Sequence, residues 1–237
     1  MLGASCIRTR LSLSTEYEIY MDELIGYVTD HSWLSDSVLR YGLAVMTRGI
    51  ENAVTISSFA FPQTHFPKQE LFALRHVILL VNQGNCHWTV IIVRVEQHRQ
   101  LSVYFYDPLN SDGNKEQLKQ LWKDAFLPFL QRWHTEVKAD TVAVIPFPDK
   151  VHVYSISTPT QPDGSGCGVM VLGMVHSFLT GQRGFELDVD TRQVIKVMRL
   201  RLQCVIMHRS TVHTISADDK QAASETEREL VKFFKEN

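Results

Sequence analysis

The spacing of apolar residues predicts helices in the first fifth of the chain and strands after it. Helical spacing over residues 16–28 and 35–47 predicts two helices, the second capped by Ser35 or Asp36. From residue 77 the pattern changes to short apolar runs that are rich in β-branched and aromatic residues, which is typical of strands. The predicted strands cover residues 77–81, 88–95, 101–106 and 151–156.

Helical spacing returns in the second half of the chain. A helix is predicted over residues 114–133, and Pro128 must kink or end it because proline donates no backbone hydrogen bond. Gly181 ends a further, buried helix. The remaining predicted helices cover residues 167–179, about 189–208 and about 222–234. Helices that flank a strand cluster, without internal repeats, predict an α+β fold. We expect an N-terminal tail over residues 1–15 and a single domain over 16–237.

Composition is that of a folded globular protein. Hydrophobic residues make up 44% and charged residues 21% of the 237 positions. The formal charge is −2, so no global basic field favours nucleic acid or an anionic membrane as a partner. The four cysteines lie far apart without a C-x-x-C pair, which favours free thiols in a reducing compartment. No apolar run reaches the roughly 18 residues of a membrane span.

Cys167 is the candidate nucleophile. It follows a glycine-rich turn and begins a predicted helix, and a helix N-terminus favours the thiolate that nucleophilic attack requires. Residues 161–167 also fit a buried structural cysteine at the start of a helix. This segment alone does not decide between a nucleophile and a structural cysteine. Cys86 and Cys204 are interpreted as structural.

The two central strands supply an independent test. If they form an antiparallel hairpin centred on Gln97, positions that sum to 194 lie opposite each other, and one apolar face ends with His87 opposite Asp107. Side chains opposed in this way have Cβ atoms roughly 4.5–5.5 Å apart, within reach of a hydrogen bond from the imidazole Nδ1–H to the carboxylate. His87 is therefore the candidate base and Asp107 the residue that orients it. The nine other histidines are expected to be surface or core residues.

Gln161 stands six residues before Cys167, where a turn can bring its amide towards the sulfur. With the Cys167 backbone N–H it could form an oxyanion hole. Taken alone, a Gln before a proline also fits an ordinary loop residue.

Taken in order, these motifs resemble the ubiquitin-like-protein-specific cysteine proteases, the Ulp/sentrin group of the papain-like superfamily. The resemblance rests on Trp33-Leu-Ser-Asp36, His87-Trp88, Tyr106-Asp107 and the segment from Gln161 to Gly168, and it spans about residues 20–210. It implies a papain-like α+β fold with a central mixed sheet flanked by helices and a nucleophile at a helix N-terminus.

The resemblance implies cleavage after the C-terminal Gly-Gly of a ubiquitin-like modifier, with SUMO favoured and NEDD8 or ubiquitin as alternatives. Trp33 and Trp88 would wall a narrow tunnel for the two glycines, and Asp36 would pair with a basic residue of the modifier. Core packing for the tryptophans and a helix cap for Asp36 are the alternatives. No cofactor or metal is expected, and we expect a monomer that lacks nucleic-acid and membrane partners and lies in the nucleus or cytoplasm, or in a host cell for an effector.

Two positions depart from the family pattern. Gly166, counted here among the substrate-binding residues, stands where the family usually has an acidic residue, and Pro108 stands where a Ser is common. The loop before Cys167 is therefore expected to be more mobile or tuned to a different modifier. The alternatives from other functional classes are an acetyltransferase that uses the same cysteine and an inactive binding module that keeps the fold.

Overall fold

The computed structural model describes residues 10–12, 19–20, 33–47, 50, 52–57, 66–96, 100–137, 146–181, 191–209, 211–212, 225 and 228. The strands among these residues are β1 (Arg10–Ser12), β2 (Ile19–Tyr20), β3 (Ala53–Ser57), β4 (His76–Gln83), β5 (His87–Val95), β6 (Leu101–Tyr106), β7 (Val151–Ile156) and β8 (Thr211–Val212). The helices are α1 (Asp36–Thr47), α2 (Asp112–Leu121), α3 (Leu127–Glu136), α4 (Cys167–Thr180) and α5 (Thr191–Arg209), with a 3₁₀ turn over Leu71–Ala73 and a π-helical turn over Trp122–Phe126.

The main sheet has five strands in the order β3-β4-β5-β6-β7. The central strand β5 runs antiparallel to both β4 and β6, and each edge strand lies parallel to its neighbour. A second sheet of three short strands has the order β2-β1-β8. The fold is thus α+β with a mixed central sheet, as predicted.

Side chains alternate between the two faces of the main sheet and form one core on each. Ile78, Leu80 and Val90 pack on one face with α1, α4 and α5. Ile91 and Val103 pack on the other with α2, the π-helical turn and α3. Helices therefore cover both faces, and α4 carries Cys167 to one end of the sheet.

Most predicted elements are confirmed within two or three residues. The second helix, the strands of the main sheet from β4 to β7, the buried helix and its end at Gly181 (φ 69°) all lie where the pattern placed them. The long helix predicted over 114–133 contains the π-helical turn directly before Pro128, which lies in the first turn of α3. A proline cannot donate to the carbonyl four residues earlier, and the wider turn accommodates that missing bond.

Several predictions fail or cannot be compared. Ile19–Tyr20 forms a strand where a helix was predicted, and Arg10–Ser12 of the expected tail pairs with it. Strand β3 was not predicted, although Ala53-Val-Thr-Ile-Ser57 has the β-branched content of a strand. Residues 16–18 and 21–28 of the first predicted helix lie outside the described residues, as does most of 222–234, of which only residues 225 and 228 are described, both helical.

The hairpin register differs from the prediction by two residues. Val93 lies opposite Val103 and Ile91 opposite Phe105, so paired positions sum to 196 rather than 194. His87 and Asp107 are therefore diagonal neighbours and not directly opposed. Because side chains alternate with a period of two, a shift of two residues keeps the same rows on the same face.

Candidate active site

Cys167 lies at the first turn of α4, and its side chain is 1% exposed. The carbonyl of Gly166 accepts the Met170 N–H at 3.0 Å, which closes the first helical turn around the cysteine. Gly168 allows close packing here, because a Cβ at that position would lie 2.7 Å from the Leu34 Cβ. The sulfur therefore sits at the positive end of a helix, where an anion is favoured.

The side chains of His87 and Asp107 form a buried pair, with His87 Nε2 2.6 Å from Asp107 Oδ1. The predicted contact is thus present, but through Nε2 rather than the expected Nδ1. With Nε2–H donating to the carboxylate, Nδ1 is left as the nitrogen that can exchange a proton with a neighbouring sulfur.

Asp107 is held by three further hydrogen bonds. Its Oδ1 accepts the Leu109 N–H at 3.0 Å, and its Oδ2 accepts the Ser111 N–H at 2.7 Å and the Asn114 Nδ2 at 3.2 Å. Each carboxylate oxygen thus accepts two hydrogen bonds. The chain turn after Asp107, which includes Asn110 at φ 54°, supplies the two backbone donors. The carboxylate is fixed in orientation and stabilised as an anion.

The pKa values of the pair follow from these contacts. Burial alone would lower the pKa of His87, but interactions with the Asp107 carboxylate and the Cys167 sulfur outweigh it and raise the pKa to about 9. Burial would likewise raise the pKa of Asp107, yet the hydrogen bonds from His87, Ser111 and Leu109 hold it below its usual value. These shifts favour the imidazolium form of His87 and the carboxylate form of Asp107 at neutral pH.

The loop before Cys167 is organised around Asp163. Its carboxylate Oδ1 accepts the N–H of Ser165 at 2.9 Å and of Gly166 at 2.5 Å. Its carbonyl accepts the Gln161 Nε2 at 2.6 Å, so the amide N–H of Gln161 is directed to its own loop in this structure. The structure brings Gln161 into the loop, and its role in an oxyanion hole stays a prediction.

The two tryptophans predicted to wall a tunnel differ in exposure. Trp33 is 52% exposed, and its Nε1 donates to the Gly164 carbonyl at 2.8 Å. Trp88 is 4% exposed, and its Nε1 donates to the Leu34 carbonyl at 2.9 Å. The indoles thus tie the Trp33–Leu34 segment to the nucleophile loop on one side and to β5 on the other.

Asp36 is the first residue of α1 rather than its cap. Ser35 precedes it, and the Ser35 Oγ accepts the Val38 N–H at 3.4 Å. Asp36 Oδ2 lies 3.7 Å from Arg40 Nη1, and burial, which outweighs the effect of Arg40, raises the pKa of the carboxyl. A basic group on a partner would therefore compete with Arg40 for this carboxylate.

Three residues of the site were missed by sequence reasoning. Asp163 lies in a turn-rich segment, and an Asp that bonds the backbone two residues on is a recognisable turn signal. Asn114 lies in the first turn of α2, and no local pattern indicates its contact with the Asp107 side chain. Arg199 donates from α5 to the Ser165 carbonyl and Oγ, and no local sequence pattern pairs residues 34 positions apart.

Cys86, Cys167 and Cys204 are free thiols, and Cys86 and Cys204 are exposed, whereas Cys6 lies outside the described residues. Among the residues that the structure describes, no group of three or more His, Cys, Asp or Glu is placed to hold a metal ion. Within the same part of the chain, no helix combines the length and apolar character needed to cross a membrane.

The fold resembles solved structures of SUMO proteases. The SUMO protease Ulp1 with its catalytic cysteine oxidised to a sulfonic acid superposes with a TM-score of 0.62 at 16% identity, covering 85% of this chain and 89% of that one. The C-terminal Ulp1 protease domain in complex with Smt3, the yeast ortholog of SUMO, gives 0.61 at 16% identity over 84% and 88%. A de-sumoylating protease gives 0.59 at 16% identity over 84% and 92%.

A search of curated proteins finds no significant match. Residues 59–204, more than half of the chain, match the family described as the Ulp1 protease family, C-terminal catalytic domain. This match includes His87, Asp107, Gln161 and Cys167, the residues around which the site is built. The chain belongs to the Ulp1 protease family.

Proposed function

We propose that this chain is a thiol protease or isopeptidase that cleaves after the C-terminal Gly-Gly of a ubiquitin-like modifier, with SUMO as the favoured substrate. The observation that carries the proposal is the 2.6 Å contact between His87 and Asp107. Together with the interactions with the buried Cys167 sulfur, this contact outweighs burial and raises the pKa of His87 to about 9. Membership of the Ulp1 protease family supports the same reaction class.

In the first half-reaction the Cys167 thiolate attacks the carbonyl carbon of the terminal glycine, and a tetrahedral oxyanion forms. The Cys167 backbone N–H, with the Gln161 amide redirected from Asp163, would stabilise that oxyanion. Protonated His87 then donates its Nδ1 proton to the leaving amine as the C–N bond breaks, which leaves a thioester on Cys167.

In the second half-reaction neutral His87 accepts a proton from water, and the resulting hydroxide attacks the thioester carbonyl. The C–S bond breaks, the modifier leaves with a free carboxylate, and Cys167 returns to the thiolate. Asp107 takes no proton in either step, because its four hydrogen bonds stabilise the anion and keep the imidazole in one orientation.

The specificity proposed for Gly-Gly is steric. Residues without side chains are the ones that fit between two indoles, so exposed Trp33 and the more deeply placed Trp88 would admit glycine and reject larger residues. Asp36, with its partly exposed carboxylate, would meet a basic residue of the modifier outside the tunnel.

The proposal is tested with SUMO, NEDD8 and ubiquitin that carry a C-terminal electrophile, each incubated with the protein and followed by intact mass. We expect a single covalent adduct with SUMO that is absent in Cys167→Ala. Cys86→Ala is the matched control, because Cys86 is an exposed thiol adjacent to His87 and should not be needed.

An adduct that survives in Cys167→Ala would overturn the assignment of the nucleophile. A folded protein that forms no adduct with any of the three modifiers would overturn the proposed function in favour of an acetyltransferase or an inactive module. An adduct with NEDD8 or ubiquitin alone would retain the reaction and replace the favoured substrate.

A further inference from the structure

The peptide bond between Ser165 and Gly166 is held from both sides by charged groups. Its N–H, on Gly166, donates to Asp163 Oδ1 at 2.5 Å. Its carbonyl, on Ser165, accepts from Arg199 Nη2 at 3.1 Å. A peptide group with a carboxylate on its N–H and a guanidinium on its oxygen has its plane fixed, because charge-assisted hydrogen bonds are roughly twice as strong as neutral ones.

The surroundings of this peptide leave little room for another arrangement. Ser165 is 5% exposed and Arg199 4% exposed, so both ends of the contact lie away from water. Arg199 also donates to the Ser165 Oγ at 3.2 Å, which fixes the side chain as well as the carbonyl. A buried guanidinium that lost these acceptors would have to find others, so the arrangement is costly to break.

Gly166 fits this arrangement for a steric reason. A Cβ at position 166 would lie 2.8 Å from Asp163 Oδ1 and 2.9 Å from Ile195 Cδ1. An isoleucine methyl can move aside, but the carboxylate is held by two backbone N–H groups. A Cβ at position 166 would therefore meet a carboxylate that is held in place, so the contacts of Asp163 favour glycine at 166.

We propose that Asp163 and Arg199 are positioning residues that clamp the Ser165–Gly166 peptide and thereby fix the direction of the Cys167 backbone N–H. This inference rests on the proposed function, in which that N–H stabilises the oxyanion. The clamped peptide immediately precedes the one that contains the Cys167 N–H. The Met170 N–H holds the carbonyl of that second peptide at 3.0 Å, and the clamp holds it from the other side of Gly166. The sulfur itself is positioned by α4 and does not depend on the clamp.

The test measures the contribution of the oxyanion donor separately from that of the thiolate. Hydrolysis of a modifier with a C-terminal aminomethylcoumarin needs both, whereas alkylation of Cys167 by iodoacetamide, followed by mass spectrometry of its peptide, needs only the thiolate. For Asp163→Ala we expect kcat to fall about 10- to 100-fold, below the full effect of losing one oxyanion donor. KM and the rate of alkylation should stay within about threefold of wild type.

Asp163→Asn is the matched control, because its amide oxygen can still accept both N–H groups, and it should restore kcat to within about threefold. Arg199→Met should reproduce the kinetic pattern of Asp163→Ala from the other side of the peptide. Equal losses of hydrolysis and alkylation would overturn the clamp in favour of a general structural role, as would an Asp163→Ala variant with wild-type kcat.

Hydrogen exchange at the Gly166 amide keeps the test independent of the substrate. We expect exchange at least about tenfold faster in Asp163→Ala and close to wild type in Asp163→Asn. If the wild-type protein hydrolyses no modifier while this exchange pattern holds, the proposed function fails and the clamp stands. Unchanged exchange in Asp163→Ala overturns the clamp whatever the substrate.

Discussion

Replacing Asp107 by Asn tests the geometry of the site most directly, because it removes a charge and changes almost no volume. Asp107 Oδ1 accepts from His87 and Leu109, and Oδ2 accepts from Ser111 and Asn114. An asparagine has one oxygen to meet these donors. Either rotamer sets the NH₂ group against one backbone N–H, that of Ser111 or that of Leu109. Because the Ser111 contact is the shorter (2.7 Å against 3.0 Å) and His87 Nε2 can become an acceptor, we expect the rotamer that turns the NH₂ towards His87.

That rotamer changes the tautomer of the His87 imidazole. His87 Nε2 must then accept, so the ring proton moves to Nδ1, the nitrogen that should receive a proton in the reaction. A wrong tautomer of this kind costs about 10⁴-fold in kcat in an analogous triad. Here we expect about 10³- to 10⁴-fold, or about 4–5.5 kcal/mol of transition-state stabilisation at about 1.4 kcal/mol per decade.

The pH profile should change with the rate. In the proposed mechanism protonated His87 is the acid that serves the leaving group, so we expect activity to be lost as pH rises through its pKa, near 9 in the wild type. Without the Asp107 carboxylate that pKa should fall towards the ordinary value of 6.5, and the alkaline limb of kcat/KM should move down with it.

The assay is hydrolysis of the coumarin-tagged modifier from pH 5.5 to 10, with thermal unfolding measured on the same samples. Asp112→Asn is the matched control, since it makes the same change on a fully exposed carboxylate at the start of α2 and should leave both profiles unchanged. An Asp107→Asn protein within tenfold of wild-type kcat, or with an unmoved alkaline limb, would refute the reasoning.

Three further predictions concern the packing at Gly168, the hydrogen bonds to Asp107 and the pH dependence of stability. Gly168→Ala would place a Cβ 2.7 Å from the Leu34 Cβ, so we expect the free energy of unfolding, measured by chemical denaturation, to fall by about 1–3 kcal/mol. In Gly164→Ala the new Cβ would meet nothing within 4 Å, and the free energy of unfolding should stay within about 0.5 kcal/mol of wild type. Asn114→Ala removes one of the four hydrogen bonds to Asp107, so steady-state kinetics should show a kcat about 3- to 10-fold lower with unchanged KM. A fall in kcat as large as that of Asp107→Asn would contradict the role of Asn114 as a residue that only helps to hold the carboxylate. His87 binds its proton more tightly when folded, so its contribution to stability is complete below pH 6.5 and is lost as pH rises through about 9; the free energy of unfolding should therefore decline over that range, and His87→Gln should decline less.

The sequence predicted the face of the hairpin better than its register, and the reason is physical. Alternation of apolar residues places Ile91 and Val103 on one face whatever the loop length, because the pattern has a period of two. The register depends on the geometry of the turn, which the pattern does not contain. The shift of two residues therefore preserved the pairing of His87 with Asp107. The ring nitrogen that makes the contact depends on side-chain torsions, which the pattern does not contain either.

The organisation of the nucleophile loop could be predicted only in part, and the division follows distance along the chain. Asp163 acts on backbone groups two and three residues later, which is a local turn that the residue types themselves indicate. Arg199 reaches the same loop from another helix, and its position depends on how α5 packs against α1 and α4. The expectation that Gly166 makes the loop more mobile or tunes it to a different modifier stays a prediction. The contacts of Asp163 and Arg199 with the Ser165–Gly166 peptide, and the space that glycine leaves for the Asp163 carboxylate, favour a held loop over a mobile one.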